Sequence, residues 1–229
     1  MSDFKKDAAR EALTLVESGM FLGLGTGSTA EEFVRLLGER IKRGELNGIG
    51  AVCTSERTEA LARSLGILCE PFVDQLPDLA IDGADEIDSA LRLVKGRGGA
   101  LLREKIIEQA SARFVVIADE SKLVDRLGVG PFPIETVQFA TNRLIGVMDE
   151  FGWEPRLRVN AQTEAFLTDE RHHIIDISVP SGVDLAEIAH RARALAGVVE
   201  TGFFPTEATE AIVAGSNGIT RMARTRSQA

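Results

Sequence analysis

The chain has 229 residues, room for one large domain or two unequal ones and for a core that needs no disulfide or structural metal. Apolar residues make up 44% and charged residues 27%, which argues against a disordered, collagen-like or coiled-coil chain. With 26 basic against 35 acidic residues the net charge is −9, a balance that argues against binding nucleic acid or an anionic membrane surface.

Apolar spacing alternates strands with helices. Phe4, Ala8, Ala9, Ala12, Leu13 and Val16 recur at helical spacing until Ser18-Gly19. A strand Met20–Leu24, a glycine-rich turn and a helix through Phe33, Val34, Leu36 and Leu37 follow. Next come a strand Ile49–Cys53, a helix Glu56–Leu65, strands Leu79–Ile81 and Leu91–Val94, a helix Ala100–Ala110 and a strand Phe114–Ala118. The segment Gly128-Val129-Gly130-Pro131-Phe132-Pro133 is rich in breakers and marks a boundary. Beyond it Thr136–Phe139, a helix Thr141–Phe151, Arg156–Val159, a strand His173–Val179, a helix Asp184–Leu195 and a strand Val198–Phe203 make a β-α-β-β-α-β order. A last strand, Ile212–Ala214, can return to the first sheet. The pattern predicts an α/β fold: a Rossmann-like, mostly parallel sheet with helices on both faces over 1–129 and 205–229, and a smaller α+β ferredoxin-like domain over 130–204.

Cys53 and Cys69 are too few for a disulfide framework or a four-cysteine zinc site and read as packing residues. No run of eighteen apolar residues and no signal-peptide core occur, so a cytoplasmic location is expected. His172 and His173 fall on opposite faces of a strand and make a poor metal pair. Trp153 reads as core or interface.

Three strand ends carry chemistry. Gly23-Leu24-Gly25-Thr26-Gly27-Ser28-Thr29-Ala30 joins a strand to a helix, where close backbone approach, two hydroxyls and free helix amides favour a phosphate. The plainer reading is a turn with Ser28 as helix N-cap. Gly25-x-Gly27-x-x-Ala30 also fits a loose dinucleotide fingerprint, but no acidic residue ends the second strand at the expected distance. Asp82, Asp85, Glu86 and Asp88 crowd four carboxylates into seven residues after a buried-looking strand. Like charges that close favour a retained proton and acid–base work, with a metal site or a solvated Asp-rich turn as the rivals. Lys95-Gly96-Arg97-Gly98-Gly99 repeats the strand–glycine turn–helix design and can set an ammonium beside a developing oxyanion. Glu104, by spacing alone, is an ordinary solvated helix glutamate.

Taken together, these loops and Ala118-Asp119-Glu120-Ser121-Lys122 resemble the type A ribose-5-phosphate isomerase family, over essentially the whole chain. The resemblance implies interconversion of ribose 5-phosphate and ribulose 5-phosphate in the non-oxidative pentose phosphate pathway without metal or organic cofactor. It implies a small phosphorylated sugar as partner and a homodimer or homotetramer. Thr26, Gly27, Ser28 and Thr29 would bind substrate, with Lys122 and Lys5 helping to hold its phosphate. Gly83, Ala84, Gly96, Arg97 and Gly98 would complete the binding loops. Asp82 and Asp85 match carboxylates that contact sugar hydroxyls and assist ring opening, Lys95 matches the residue beside the reacting oxygens, and Glu104 matches the catalytic base. Arg97 stands where many members carry glycine, and its side chain is expected to face solvent or a neighbouring subunit. A sugar-phosphate sensor and a nicotinamide-dependent oxidoreductase are the competing readings.

Overall fold

The computed structural model describes residues 3–72 and 75–224. Its elements run α1 (Phe4–Leu13), β1 (Phe21–Leu24), α2 (Ser28–Lys42), β2 (Gly50–Cys53), α3 (Glu56–Ser64), β3 (Leu68–Cys69), β4 (Leu79–Asp82), β5 (Glu86–Ile87) and β6 (Leu93–Val94). They continue with α4 (Leu101–Ala110), β7 (Phe114–Asp119), β8 (Phe132–Thr136), α5 (Thr141–Glu150), β9 (Arg156–Leu157) and β10 (His173–Ile177). The last are α6 (Leu185–Arg193), β11 (Val198–Thr201), β12 (Phe203–Phe204), β13 (Glu210–Gly215) and β14 (Gly218–Ala223). Among the described residues, no helix is long and apolar enough to cross a membrane.

The main sheet has the order β14-β13-β7-β4-β1-β2-β3 and is parallel except for the β13–β14 hairpin. β1 and β4 are buried at every residue, as strands covered on both faces must be. Alternation divides β7 between two cores. Val115 and Ile117 pack with Ala8 and Leu13 of α1 and Phe33 and Leu37 of α2. Phe114, Val116 and Ala118 face the other way, onto Leu93 of β6 and Phe204 of β12. Farther along that second face Ile107 of α4 packs on Phe21 and Val52. A Cβ on Gly23 would lie 2.9 Å from the Ile107 side chain, so strand and helix can meet only over a glycine.

The second face therefore shares its cover between α4 and a small antiparallel sheet, β12-β6-β5, that apolar spacing does not reveal. Its strands have two residues each, too short for a periodicity, and β5 lies inside the carboxylate-rich segment. The β8–β11 segment gives an antiparallel sheet ordered β11-β8-β10-β9, the arrangement of the split βαβ motif. Its core contains Phe132, Ile134, Leu144, Met148, Ile175 and Ile188, together with Trp153, which meets Phe151 edge-on at 5.0 Å.

Three expectations need correction. The first strand of the small sheet is Phe132–Thr136, not 136–139, where residues Gln138–Ala140 form a 3-10 turn. Pro133 hides it, because a proline forfeits a ladder donor in a strand flanked on both sides, although its carbonyl still accepts from Gly202 N at 2.8 Å. The strand Leu91–Val94 shrinks to Leu93–Val94, with Leu91 in a left-handed turn at φ 57°. The tail forms two strands rather than one; β14 is mostly exposed on the sheet edge and so lacks an apolar alternation.

The breaker-rich segment 128–133 is held by one buried side chain. Glu86 of β5 is 2% exposed and accepts from the backbone N–H of Gly128 at 2.6 Å, Val129 at 3.3 Å and Gly130 at 2.7 Å. Arg97 turns inward to pair with Glu86 and donates to the Pro131 carbonyl at 3.2 Å, so its expected outward course is wrong. Four donors converging on a carboxylate outcompete solvation of a single guanidinium. Glu86→Ala strands these donors and is expected to lower stability by about 3 kcal/mol, read from urea unfolding; an unchanged midpoint would mean that the 128–130 turn holds itself.

Candidate active site

The C-terminal ends of β1 and β4, the turn after β6 and the start of α4 enclose a cleft of about 120 Å³. Lys5 of α1 and Lys122, from the short 3-10 turn after β7, complete its rim. Open α/β sheets place ligands at this edge, because the parallel strands end there and helix N-termini point to it.

One end of the cleft is built for an anion. Gly27 caps α2 at φ 112°, a backbone shape that L side chains rarely adopt. The cap is this glycine and not Ser28, which overturns the plain capping reading and leaves Ser28 to line the cleft. Lys5 Nζ donates to Ser28 Oγ at 2.9 Å, and Ser28, Thr29 and Lys122 line the same space. The neighbouring Lys6 is exposed and is not among the lining residues. First-turn amides, a helix dipole and two ammonium groups favour a phosphate here.

Thr26 fixes the turn from beneath. Its Oγ1 lies 2.7 Å from Thr54 Oγ1, 2.8 Å from Ser55 Oγ and 3.2 Å from Thr58 Oγ1. Thr58 Oγ1 in turn donates to the Gly25 carbonyl at 2.9 Å. The sequence reading did not find these three supports. The hydroxyl cluster after β2, where a dinucleotide fold wants an acid, was their signal.

The other end is a buried charge cluster. Lys95, 2% exposed, sets Nζ 2.9 Å from Asp82 Oδ2, 3.1 Å from Glu108 Oε1 and 3.9 Å from Glu104 Oε2, and donates to the Gly83 carbonyl at 2.5 Å. The Phe114 and Phe204 rings stand 5.7 and 5.6 Å away, with their electron-rich faces toward the ammonium. Burial by itself would discharge the lysine, but Asp82, Glu104 and Glu108 overcome it and hold its pKa above the ordinary value. Glu104 and Glu108 are one turn apart on α4 and share a face. Burial raises both carboxyls, Glu104 to about 8 and Glu108 well above its usual range, while Lys95 pulls each partly back. Glu104 Oε2 is buried and has no hydrogen-bond partner among the described residues.

The cleft brings together Lys5, Thr26, Gly27, Ser28, Thr29, Gly83, Ala84, Asp85, Lys95, Gly96, Gly98, Glu104 and Lys122. Asp82 and Arg97 do not line it. Asp82 is 1% exposed and turned beneath the glycine loop, accepting from Thr26 N at 2.9 Å and Gly83 N at 2.6 Å. A Cβ on Gly25 would fall 2.1 Å from the Asp82 carboxyl, so that glycine makes the room. Asp85 does reach the cleft, and its Oδ2 accepts from Arg97 N at 2.9 Å. Glu108 is the buried residue that sequence reasoning missed, since it looks like one more polar helix position.

The remaining candidates lie elsewhere. His172 Nδ1 is 3.0 Å from Glu135 Oε1 and His173 Nδ1 is 3.0 Å from Thr141 Oγ1, so the two rings serve separate contacts. Among the described residues, no group of three or more His, Cys, Asp or Glu side chains is arranged to hold a metal ion.

Comparison with known proteins joins this geometry to a family. The family described as ribose 5-phosphate isomerase A (phosphoriboisomerase A) matches residues 50–218. The ribose-5-phosphate isomerase A of Rhodopseudomonas palustris is 49% identical over 226 residues, covering 95% of this chain and 96% of that protein. A solved D-ribose-5-phosphate isomerase in complex with phospho-erythronic acid superposes with a TM-score of 0.92 at 39% identity, over 98% of this chain and 100% of that one. The ribose 5-phosphate isomerase of Plasmodium falciparum gives 0.93 at 34% identity, over 99% and 100% of the two chains.

The cluster also makes stability depend on pH. Between 4.5, the ordinary glutamate value, and about 8, folded Glu104 keeps a proton that the unfolded chain has released. Stability therefore falls as pH rises across that window, and Glu104→Gln is expected to flatten the fall in urea-unfolding series at pH 5, 6.5 and 8; an unaltered slope would contradict the raised carboxyl. The cleft, the fold and the relatives agree, and the chain belongs to the ribose 5-phosphate isomerase A family, whose members are isomerases.

Proposed function

We propose that the cleft interconverts D-ribose 5-phosphate and D-ribulose 5-phosphate through a cis-enediolate, with Glu104 as the base. The observation that carries this reading is the pairing of Glu104 with Lys95 on a buried floor, one cleft away from the anion-binding start of α2. A relative that binds phospho-erythronic acid supports a phosphorylated sugar as the ligand class.

The phosphate sits on the α2 amides with Ser28, Thr29, Lys5 and Lys122, and its binding energy fixes the reacting end. Asp85 and the Gly83–Ala84 backbone hold sugar hydroxyls and help open the ring. Asp82 acts from below by holding Lys95. On the open-chain aldose, ionised Glu104 removes the proton from C2, and the C2 electron pair forms the C1–C2 double bond while charge moves to the C1 oxygen. The Lys95 ammonium and the amides of Gly96 and Gly98 stabilise that oxygen, an effect worth about 3 kcal/mol per well-placed donor. A proton moves from the C2 oxygen to the C1 oxygen, and Glu104 returns its proton to C1 to give the ketose. Glu108, whose carboxyl burial raises well above its usual range, supports the Lys95 ammonium from below at 3.1 Å. In the same reading residues 130–204 are the small domain, the remainder is catalytic, and the reaction belongs to the non-oxidative pentose phosphate pathway.

Glu104→Gln is expected to lower kcat by roughly a thousandfold while phosphosugar binding survives in calorimetry. Because the base must be ionised, kcat/KM of the unaltered protein is expected to rise with pH and level off above about 8. A chelator-treated coupled assay for ketose formation tests the reaction itself; full turnover by Glu104→Gln would remove that residue from the role.

A further inference from the structure

Cys53 and Cys69 do more than pack. β2 and β3 are parallel with Ala51 opposite Cys69, which sets Ala51, Cys53 and Cys69 on one face. The two sulfurs lie 3.9 Å apart, and the Cys53 thiol donates to Cys69 Sγ. Cys69 is buried, whereas Cys53 is half-buried and lines an open cavity of about 290 Å³ with Phe72, Ile106 and Arg103. Arg63 of α3 donates to the Cys69 carbonyl at 3.0 Å, bringing a guanidinium to the pair. The Cys53 hydrogen bond, helped by Arg63, lowers the Cys69 thiol, and the same bond raises that of Cys53. The shared hydrogen bond thus favours Cys69 over Cys53 as the sulfur that ionises and attacks an oxidant.

We propose that Cys53 and Cys69 are an oxidisable dithiol that hydrogen peroxide converts to an intrachain disulfide, and that this bond disturbs the Thr26 turn of the cleft. One sulfur attacks a peroxide oxygen, the O–O bond breaks, and a sulfenic acid and water result. The second sulfur then attacks the sulfenic sulfur, the S–O bond breaks, and the hydroxyl leaves as a second water after taking up the proton of the second thiol. Closing the sulfurs from 3.9 Å to about 2.05 Å draws the end of β2 toward the two-residue edge strand β3. Thr54 and Ser55, which hold the Thr26 hydroxyl, follow Cys53 directly in the chain.

The experiment treats the full chain with a few equivalents of hydrogen peroxide, then reads intact mass, cross-linked peptides and isomerase activity. The expected result is a loss of about 2 Da, a Cys53–Cys69 peptide, and a fall in kcat/KM of at least about threefold that dithiothreitol reverses. Cys53→Ser is expected to keep the untreated activity and to lack the reversible loss. Oxygen additions to single cysteines without the cross-link would overturn the proposal, as would a disulfide that leaves kcat/KM unchanged or equal reversible inactivation of Cys53→Ser. The activity measurement rests on the isomerase reading, whereas the mass measurement does not, so an enzyme inactive before treatment would count against that reading alone.

Discussion

A lysine ammonium buried among three carboxyl groups is the constraint around which the rest of this protein is arranged. Lys95 is 2% exposed, and a lone charge at that depth would be discharged rather than tolerated. Asp82 at 2.9 Å supplies the compensating charge, and two phenylalanine rings and the Gly83 carbonyl complete the shell. With one cation and three carboxyls, the surplus negative charge is unfavourable in so dry a place. Burial first, and the neighbouring Asp82 and Asp85 carboxyls after it, outweigh the pull of Lys95 and raise Glu104 to about 8, near the operating range of a general base.

The fold meets this constraint with small residues and strand ends. Gly25 leaves space for the Asp82 carboxyl, and Gly23 lets α4 settle on β1 so that Glu104 and Glu108 arrive beside Lys95. The anion end is organised separately, by Gly27 at the α2 cap and by the Thr54, Ser55 and Thr58 hydroxyls beneath Thr26. The two halves meet in a single cleft. Arg97, Glu86 and the 128–130 turn tie the Lys95 loop to the small sheet; Arg158 adds to this by donating to the Gly96 and Arg97 carbonyls at 2.9 and 3.1 Å.

Much of this could be read from the amino acids. Apolar strands separated by helices specify a parallel sheet, and glycine-rich turns at three strand ends mark its cleft. Local spacing did not disclose depth. Glu104 and Glu108 look like solvated helix positions because the groups they meet, Lys95 after β6 and Asp82 of β4, lie outside their helix. The family resemblance, not the spacing, singled out Glu104, and nothing singled out Glu108. Asp82 ends a strand at the cleft edge, and the family resemblance gives it a sugar contact; its side chain turns under the glycine loop, a course no local pattern discloses. Arg97 was expected outside because its partner, Glu86, sits in a two-residue strand too short to leave a pattern. The proline in β8 and the exposed edge strand β14 escaped notice because each breaks the alternation that identifies a strand.

The most direct measurement is a titration of the protein labelled with carbon-13 at glutamate side-chain carboxyls, followed by NMR from pH 4 to 9. One resonance is expected to titrate near pH 8 and to disappear in Glu104→Gln. Titration of every glutamate resonance between about 4 and 5, as for solvated carboxyls, would contradict it.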